Sequence, residues 1–169
     1  APGPITYGTA LSASELNAIA SVPGSFSYDP AVGTRLAVGA TNLSLIFTPD
    51  DGSLYKPLVK NAALTVDPAT LTIAAENKTK SVGEENPPLT IAYLGFASGE
   101  DESVLSSPAQ IATAALQTSP AGQYPITVSG AVAANYSVNF QSGILFVNPP
   151  IVPTGALTAP VDGSIFHAP

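Results

Sequence analysis

Short runs of alternating apolar and polar residues constrain this chain more than any other feature. In "NLSLIFT", Leu43, Leu45 and Phe47 are spaced two apart, and in "AALTV" Leu64 and Val66 repeat the spacing. A period of two is typical of a strand with one buried face, whereas a helix repeats every ~3.6 residues. The runs end at turn-forming stretches such as "VPGS", "DPAVGT" and "PDDGS". The pattern predicts an all-β or mainly β fold.

One early segment departs from this pattern. In "SASELNAIA", residues 12–20, Ser12 stands three residues before Glu15, which is the spacing of a capping box at a helix start. The segment predicts a short helix, with loop or strand left open as alternatives. A second polar segment, "ASGEDESVL", indicates a loop that contains one helical turn.

Proline-rich stretches divide the chain. "VDPAT" follows one alternating run, and "VNPPIVPTG" follows another. Because proline has no N–H to donate to a sheet, such stretches indicate links between sheets. The predicted division is a first β module over residues 1–67, a second β module over residues 70–148 and an extended tail over residues 149–169.

The second module repeats the alternation in the uncharged stretch "SPAGQYPITVSGAVAANYSVNF". Its spacing places Ile126 and Val128 on the inner face of one strand and Tyr136, Val138 and Phe140 on the inner face of the next. We expect these two strands to be neighbours joined by a small-residue connection. The continuous apolar run "GILFV" indicates a strand that is covered on both sides.

Composition excludes several classes of function. Five basic residues and a net charge of −7 provide no patch for binding nucleic acid. No apolar stretch of ~18 residues is present, so membrane insertion is not expected. Cys, Met and Trp are absent, and the one histidine, His167, lies in the tail, so neither a zinc site nor a catalytic triad is expected. The many turns and few charges indicate an extracellular, secreted or cell-surface protein.

Acidic groups are the candidates for a cofactor. Calcium binds several carboxylate and carbonyl oxygens, which makes Asp50, Asp51, Glu100, Asp101 and Glu102 weak calcium candidates. Neither group has the spacing of a known calcium loop, which favours solvated turns over calcium binding. The sequence therefore predicts no cofactor, with calcium left open.

Two tyrosines are predicted to have structural roles. Tyr55 and Tyr136 each follow a polar turn or connection, as in a tyrosine corner, where the hydroxyl bonds a nearby backbone group. Packing of the rings in the core is the alternative. The lysines stand beside turns or polar residues, so none, Lys80 included, is expected to point inward.

The first module resembles a bacterial Ig-like tandem repeat of large surface proteins. The resemblance covers residues 4–67 and rests on "ITYG", "LNA", "VPG", "FTP" and the acidic turn that leads to Tyr55. It implies an Ig-like β-sandwich.

Residues 70–148 resemble the MBG domain of the Tyr-Gly type, found in bacterial adhesin-like proteins. The matching stretches are "LTIAAENKTKSVGEENPPLT", "YLGFASGEDESVL", "SPAGQYPITVSG" and "NYSVNFQSGILFV". The chain departs from the pattern where Val82-Gly83 replaces Tyr-Gly, which keeps the glycine turn and removes an aromatic ring. The resemblance implies a β-grasp-like module of a secreted multidomain protein.

The tail "LTAPVDGSIFHAP" resembles the start of another Ig-like domain. Ile165 and Phe166 are its apolar pair, and we expect them to pack in a neighbouring domain of a longer chain or against another copy. The expected function is a non-catalytic stalk or spacer of an adhesin-like protein, with assembly into extended fibres left open. A module that binds a host or matrix glycan or protein is the alternative, and catalysis is not expected.

Overall fold

The computed structural model describes residues 2–150, and the fold is mainly β, as predicted. The first module contains one sheet in the order β1-β4-β3-β2, in which β1 runs parallel to β4 and the other pairs are antiparallel. Its strands are β1 (Ile5–Thr6), β2 (Gly24–Asp29), β3 (Gly39–Pro49) and β4 (Leu58–Asp67).

The second module contains two sheets. A three-stranded sheet has the order β10-β5-β7, and a four-stranded sheet has the order β6-β11-β9-β8. The strands are β5 (Ala69–Ala75), β6 (Lys78–Ser81), β7 (Ile91–Leu94), β8 (Gln110–Thr113), β9 (Gly122–Ser129), β10 (Tyr136–Gln141) and β11 (Gly143–Asn148). The predicted helical turn is present as a 3₁₀ turn over Glu102–Val104.

A loop covers part of the sheet in the first module. Leu43, Leu64 and Val66 point from the sheet into a core that Leu11 and Leu16 of the β1–β2 connection complete from the other side. In the described residues, this connection takes the place of a second sheet over that part of the first one. The alternation in β3 and β4 therefore identified the buried face correctly.

The helix predicted for residues 12–20 does not form. Half of the capping box is present, because the Ser12 N–H donates to Glu15 Oε2 at 2.9 Å. Ser12 Oγ donates to the same carboxylate at 2.8 Å, and the Glu15 N–H bonds the Ser12 carbonyl instead of Oγ. The chain then continues as turns and bends. Leu16 is buried while Ile19 is 95% exposed, so the segment has no apolar stripe of helical length with which to pack.

The core of the second module lies between its two sheets. Leu71 and Ile73 enter it from β5, and Ile126, Val128 and Leu145 enter from the opposite sheet. The predicted inner face of β9 is confirmed.

The predicted pairing of β9 with β10 is wrong. Strand β9 pairs with β8 and β11, whereas β10 pairs in parallel with β5 in the other sheet. Residues 130–135 cross between the sheets, and Ala131 and Ala133 are buried there. A period of two shows which side chains share a face, but it carries no information about the partner strand.

Phe140 is not an inward residue either. Tyr136 is buried and Val138 is half-buried, whereas Phe140 is 40% exposed. Exposure increases along β10 because the core ends before the strand does.

Lys80 corrects the expectation that no lysine points inward. It is 4% exposed, and it is the one buried polar residue among residues 2–150. Its Nζ donates to the carbonyl oxygens of Glu84 at 2.9 Å and Leu116 at 2.7 Å. The aliphatic stem packs in the core while two carbonyl dipoles solvate the ammonium group.

Replacement of Lys80 tests this arrangement. Lys80→Met keeps the stem but removes the donor from two carbonyls, so we expect the free energy of unfolding to fall by about 1–3 kcal/mol. The control is Lys78→Met on the same strand, which removes a surface ion pair with Glu76 of 3.2 Å and should cost less than ~1 kcal/mol. Equal losses in urea unfolding would contradict a specific role for Lys80.

Candidate functional site at the junction of the two modules

The two modules follow each other almost without a linker. β4 ends at Asp67 and β5 begins at Ala69, so Pro68 is the whole link. Beside it, Tyr7 extends the pairing of β1 with β4, because its N–H donates to the Asp67 carbonyl oxygen at 2.8 Å. The Tyr7 ring packs against the hydrophobic cores of both modules. Tyr7 therefore brings an aromatic side chain of the first module into contact with the core of the second.

One carboxylate joins the modules. Glu100 accepts a hydrogen bond on Oε1 from the Tyr7 hydroxyl, at 2.5 Å, and one on Oε2 from the Tyr136 hydroxyl. The Tyr136 hydroxyl also accepts a bond from the Ala97 N–H at 2.8 Å. Hydrogen bonds to an ionised acceptor are stronger than neutral ones. We call Tyr7, Glu100 and Tyr136 the junction cluster.

Aromatic packing supports the cluster. The Tyr136 ring makes edge-to-face contacts with Tyr7, at a centroid distance of 5.3 Å, and with Phe96, at 5.9 Å. Pairs with this geometry contribute ~0.5–1.5 kcal/mol each beyond the area they bury. The rings therefore fix the orientation in which the hydroxyl groups reach Glu100.

A glycine permits the close approach of the two chains at this point. Gly8 has φ of +89°, and a Cβ at this position would lie 2.9 Å from the Cβ of Ala97 in the other module. Both the left-handed backbone and the contact favour glycine.

Two further hydrogen bonds cross the junction. Arg35 Nη1 donates to the Ser98 carbonyl at 2.9 Å, and the Val38 N–H donates to Asn135 Oδ1 at 3.2 Å. The two bonds connect residues from the β2–β3 connection to two separate loops of the second module. The modules are thus held at several points besides their covalent link.

The junction shifts the ionisation of its tyrosines. The hydrogen bond to Glu100 raises the pKa of Tyr7, and burial adds to the effect. Burial also raises the pKa of Tyr136, with a smaller contribution from Glu100, while the Ala97 N–H opposes it. Both hydroxyls are therefore held in the neutral form that donates to the carboxylate.

The predicted tyrosines have different environments. Tyr136 is buried with a bonded hydroxyl, but its backbone partner lies 39 residues away rather than a few, as a tyrosine corner would have it. Tyr55 is 46% exposed. Corner geometry occurs instead at Tyr124, whose hydroxyl donates to the Pro120 carbonyl four residues upstream at 3.0 Å. Nothing in the spacing of the sequence distinguished Tyr124 from the other tyrosines.

The calcium candidates are engaged locally. Asp51 Oδ1 accepts bonds from Ser53, which lowers the pKa of the Asp51 carboxyl, and Asp101 caps the 3₁₀ turn through Ser103. Glu100 belongs to the junction cluster, while Asp50 and Glu102 are exposed.

The absence of a cofactor, with calcium left open, stays a prediction. Residues 2–150 bring no three His, Cys, Asp or Glu side chains together in a group that could hold a metal ion. Ile165 and Phe166 lie outside the described residues.

The structure contains an aromatic pocket that was not predicted from the sequence. Tyr93 and Phe96 stack at 5.8 Å and line an open cavity of about 560 Å³ with Asp101 and Glu102. In the chain between these two residues, Gly95 has φ of +109°, and a Cβ there would clash with the Thr70 carbonyl oxygen. The signal in the sequence was "YLGF", in which a glycine turn stands between two aromatic residues.

The structure thus defines a chain of β-rich modules, and the second of them matches a family model. Residues 71–146 match the family model of the MBG domain (YGX type), so the resemblance stated for this module is confirmed. Gly83, which stands in the position of the family's Tyr-Gly glycine, has φ of +91°.

Other comparisons add little. A solved structure titled "Structures of Clostridium thermocellum CbhA fibronectin(III)-like modules" is similar at 14% identity and a TM-score of 0.31, with 88% of this chain and 90% of that chain covered. This TM-score is too low to establish a shared fold, so the Ig-like prediction for residues 4–67 stays a prediction. No curated protein matches the chain. Within residues 2–150, no helix is long and apolar enough to cross a membrane.

Substitution of Tyr136 tests the cluster. Tyr136→Phe removes a hydrogen bond to a charged acceptor, and we expect it to lower the free energy of unfolding by about 1.5–3 kcal/mol. Tyr136→Ala adds a cavity and should cost about 3–5 kcal/mol. Tyr55→Phe, at an exposed ring, should be neutral. If Tyr136→Phe were as neutral as Tyr55→Phe in denaturant unfolding, the cluster would contribute nothing.

Alkaline pH should weaken the junction. The pKa values of Tyr7 and Tyr136 are raised above the ordinary value of 10.0 in the folded protein, so their contribution is complete below that pH. It is lost as the pH rises through the raised values. We expect the free energy of unfolding, measured from neutral pH to about pH 11.5, to fall more steeply for the parent chain than for Tyr7→Phe/Tyr136→Phe. Parallel curves would contradict the linkage.

Proposed function

We propose that this chain is a non-catalytic spacer of a bacterial secreted or cell-surface protein of the adhesin-like kind. In this proposal it is joined to neighbouring domains or to other copies in an extended assembly. The junction cluster is the observation that supports the proposal, because a spacer needs modules whose mutual orientation is fixed.

The contacts across the junction favour a fixed orientation over a hinge. Relative motion is the default for domains joined by flexible linkers, and a small polar interface rarely prevents it. Here the link is the single residue Pro68, and the Glu100 carboxylate bridges two tyrosines of different modules. A change of angle would have to break the charge-assisted bond between Tyr7 and Glu100 and separate the Tyr7 and Tyr136 rings.

The shifted carboxyl groups have structural causes. The pKa of Glu15 is lowered by the bonds from Ser12, and those of Asp51 and Asp101 by the bonds from Ser53 and Ser103. In an enzyme, perturbed groups are expected to converge on a cleft where substrate binds. These three shifts each belong to a separate local turn. A fourth, at Glu76, is caused by the hydrogen bonds from Thr90 and Lys78 at the surface, and the spread of the four groups supports a non-catalytic role.

Binding of a glycan or protein is the second candidate, and the Tyr93–Phe96 pocket favours it. A stacked aromatic pair beside the carboxylates of Asp101 and Glu102 offers both an apolar surface and hydrogen-bond acceptors. Binding sites combine these two kinds of group. A glycan array probed with the chain and with Tyr93→Ala would detect such a role.

Residual dipolar couplings test the spacer. We expect the couplings of both modules to fit one alignment tensor in the parent chain, because the junction cluster holds one orientation. Glu100→Ala should give two tensors while each module keeps its own chemical shifts. Glu102→Ala, which removes an exposed carboxylate two residues away, should keep one tensor. Two independent tensors in the parent chain would refute a rigid spacer.

A further inference from the structure

The first module has an uncovered apolar groove on the core face of its sheet. At the end of the sheet where β2 and β4 begin, a cavity of about 460 Å³ is lined by Phe26 of β2, Phe47 of β3, Leu58 of β4, and Ile19 and Tyr55 from loops. Ile19 is 95% exposed and Leu58 is 50% exposed. A second cavity continues along the same face, since both cavities share Leu45 and Lys60. We call the two cavities together the groove.

The side chains along β4 show where the cover of the sheet ends. Residues 58, 60, 62, 64 and 66 share the core face. Leu64 and Val66 are buried beneath the β1–β2 connection, Ala62 is half-buried, and Leu58 and Lys60 are exposed. The connection therefore covers the half of the sheet nearest the junction. In the other half Phe47 of β3 is buried, but the β4 side of the face, at Leu58 and Lys60, is open.

The edge of β4 is free over the same region. Strand β1 pairs with β4 at Val66 and Asp67 only. Over residues 58–65, no strand within the described part of the chain pairs with that edge. A row of unpaired backbone groups beside an apolar groove is the arrangement that an added strand completes.

We infer that the groove and the free edge of β4 receive an extended segment, residues 161–166, from a second copy of this chain. The inference rests on the proposed function and names the surface at which copies would join. Residues 161–166 read "VDGSIF", with Val161, Gly163 and Ile165 at alternate positions. In an extended conformation, Val161 and Ile165 would face the groove together.

Charge supports this occupant. Lys56 and Lys60, two of the chain's five basic residues, line the groove. A lysine on an edge strand discourages pairing with unselected strands, so the occupant needs complementary charge. Residues 151–169 contain Asp162 and no Lys or Arg. With Val161 and Ile165 in the groove, Asp162 would lie on the other face of the segment, so its attraction to Lys56 and Lys60 would be long-range and not a direct ion pair. Association should therefore weaken as salt is added.

Sedimentation velocity of the full chain tests the proposal with matched variants. We expect the parent chain to self-associate, and Ile165→Asp/Phe166→Asp to weaken the association at least about tenfold. Ile19→Asp should weaken it similarly, and because Ile19 is 95% exposed, its fold should be kept. Leu94→Asp, at a 75% exposed residue of the second module, and Thr154→Asp, which adds the same charge upstream of the docking segment, should behave as the parent does.

Mixing the two defective variants separates head-to-tail docking from other modes. Ile19→Asp keeps an intact C-terminal segment, and Ile165→Asp/Phe166→Asp keeps an intact groove. Their mixture should therefore form a heterodimer that grows no further. Association lost in Ile19→Asp but unchanged in Ile165→Asp/Phe166→Asp would mean that two grooves pair, and it would overturn the proposed occupant.

Two results together would also overturn the docking proposal. The parent chain would stay monomeric at about 1 mM, and a peptide of residues 157–169 would shift no amide resonance of Ile19, Tyr55 or Leu58. The dipolar couplings across the junction are independent of all these outcomes, so the spacer proposal and the docking proposal can fail separately.

Discussion

Two tyrosine hydroxyls from different modules share one carboxylate, and the arrangement of the modules depends on this contact. Glu100 is placed by the loop that follows β7, Tyr136 begins β10, and Tyr7 follows β1. Each hydroxyl is positioned by packing of its ring. The Tyr136–Glu100 bond lies within the second module, whereas the Tyr7–Glu100 bond crosses the junction and needs both modules in place. Neither module could satisfy this set of groups by itself.

Much of the fold followed from the spacing of apolar residues. The sequence predicted features that depend on residues close together in the chain. These are the buried faces of β3, β4, β5 and β9, the short link at Pro68 and the 3₁₀ turn at residue 102. Pairing of strands depends on residues far apart, and there the prediction was wrong: β10 joins β5 in one sheet while β9 belongs to the other. The failed helix at residues 12–20 shows the same limit, since its cap is local and its missing packing face is not.

The sequence predicted only part of the junction. Tyr136 was identified as a structural residue, but Glu100 was considered for calcium, and Tyr7 was part of a family motif without a role. A carboxylate followed by two more acidic residues looks like a solvated turn, and only the fold brings it against rings 93 and 36 residues away. Lys80 was misread for a related reason, because the carbonyls that solvate its ammonium group belong to separate loops.

The parallel pairing of β1 with β4 determines how this chain would carry tension. Pulling on the chain before Ile5 and after Asp67 draws two parallel neighbours in opposite directions along their length. The hydrogen bonds between them, and that of the Tyr7 N–H to Asp67, are then loaded together in shear rather than opened one after another. Tyr7 stands at the end of this short ladder and is also anchored to Glu100. Force entering at the first strand is therefore shared with the second module before the first begins to unravel.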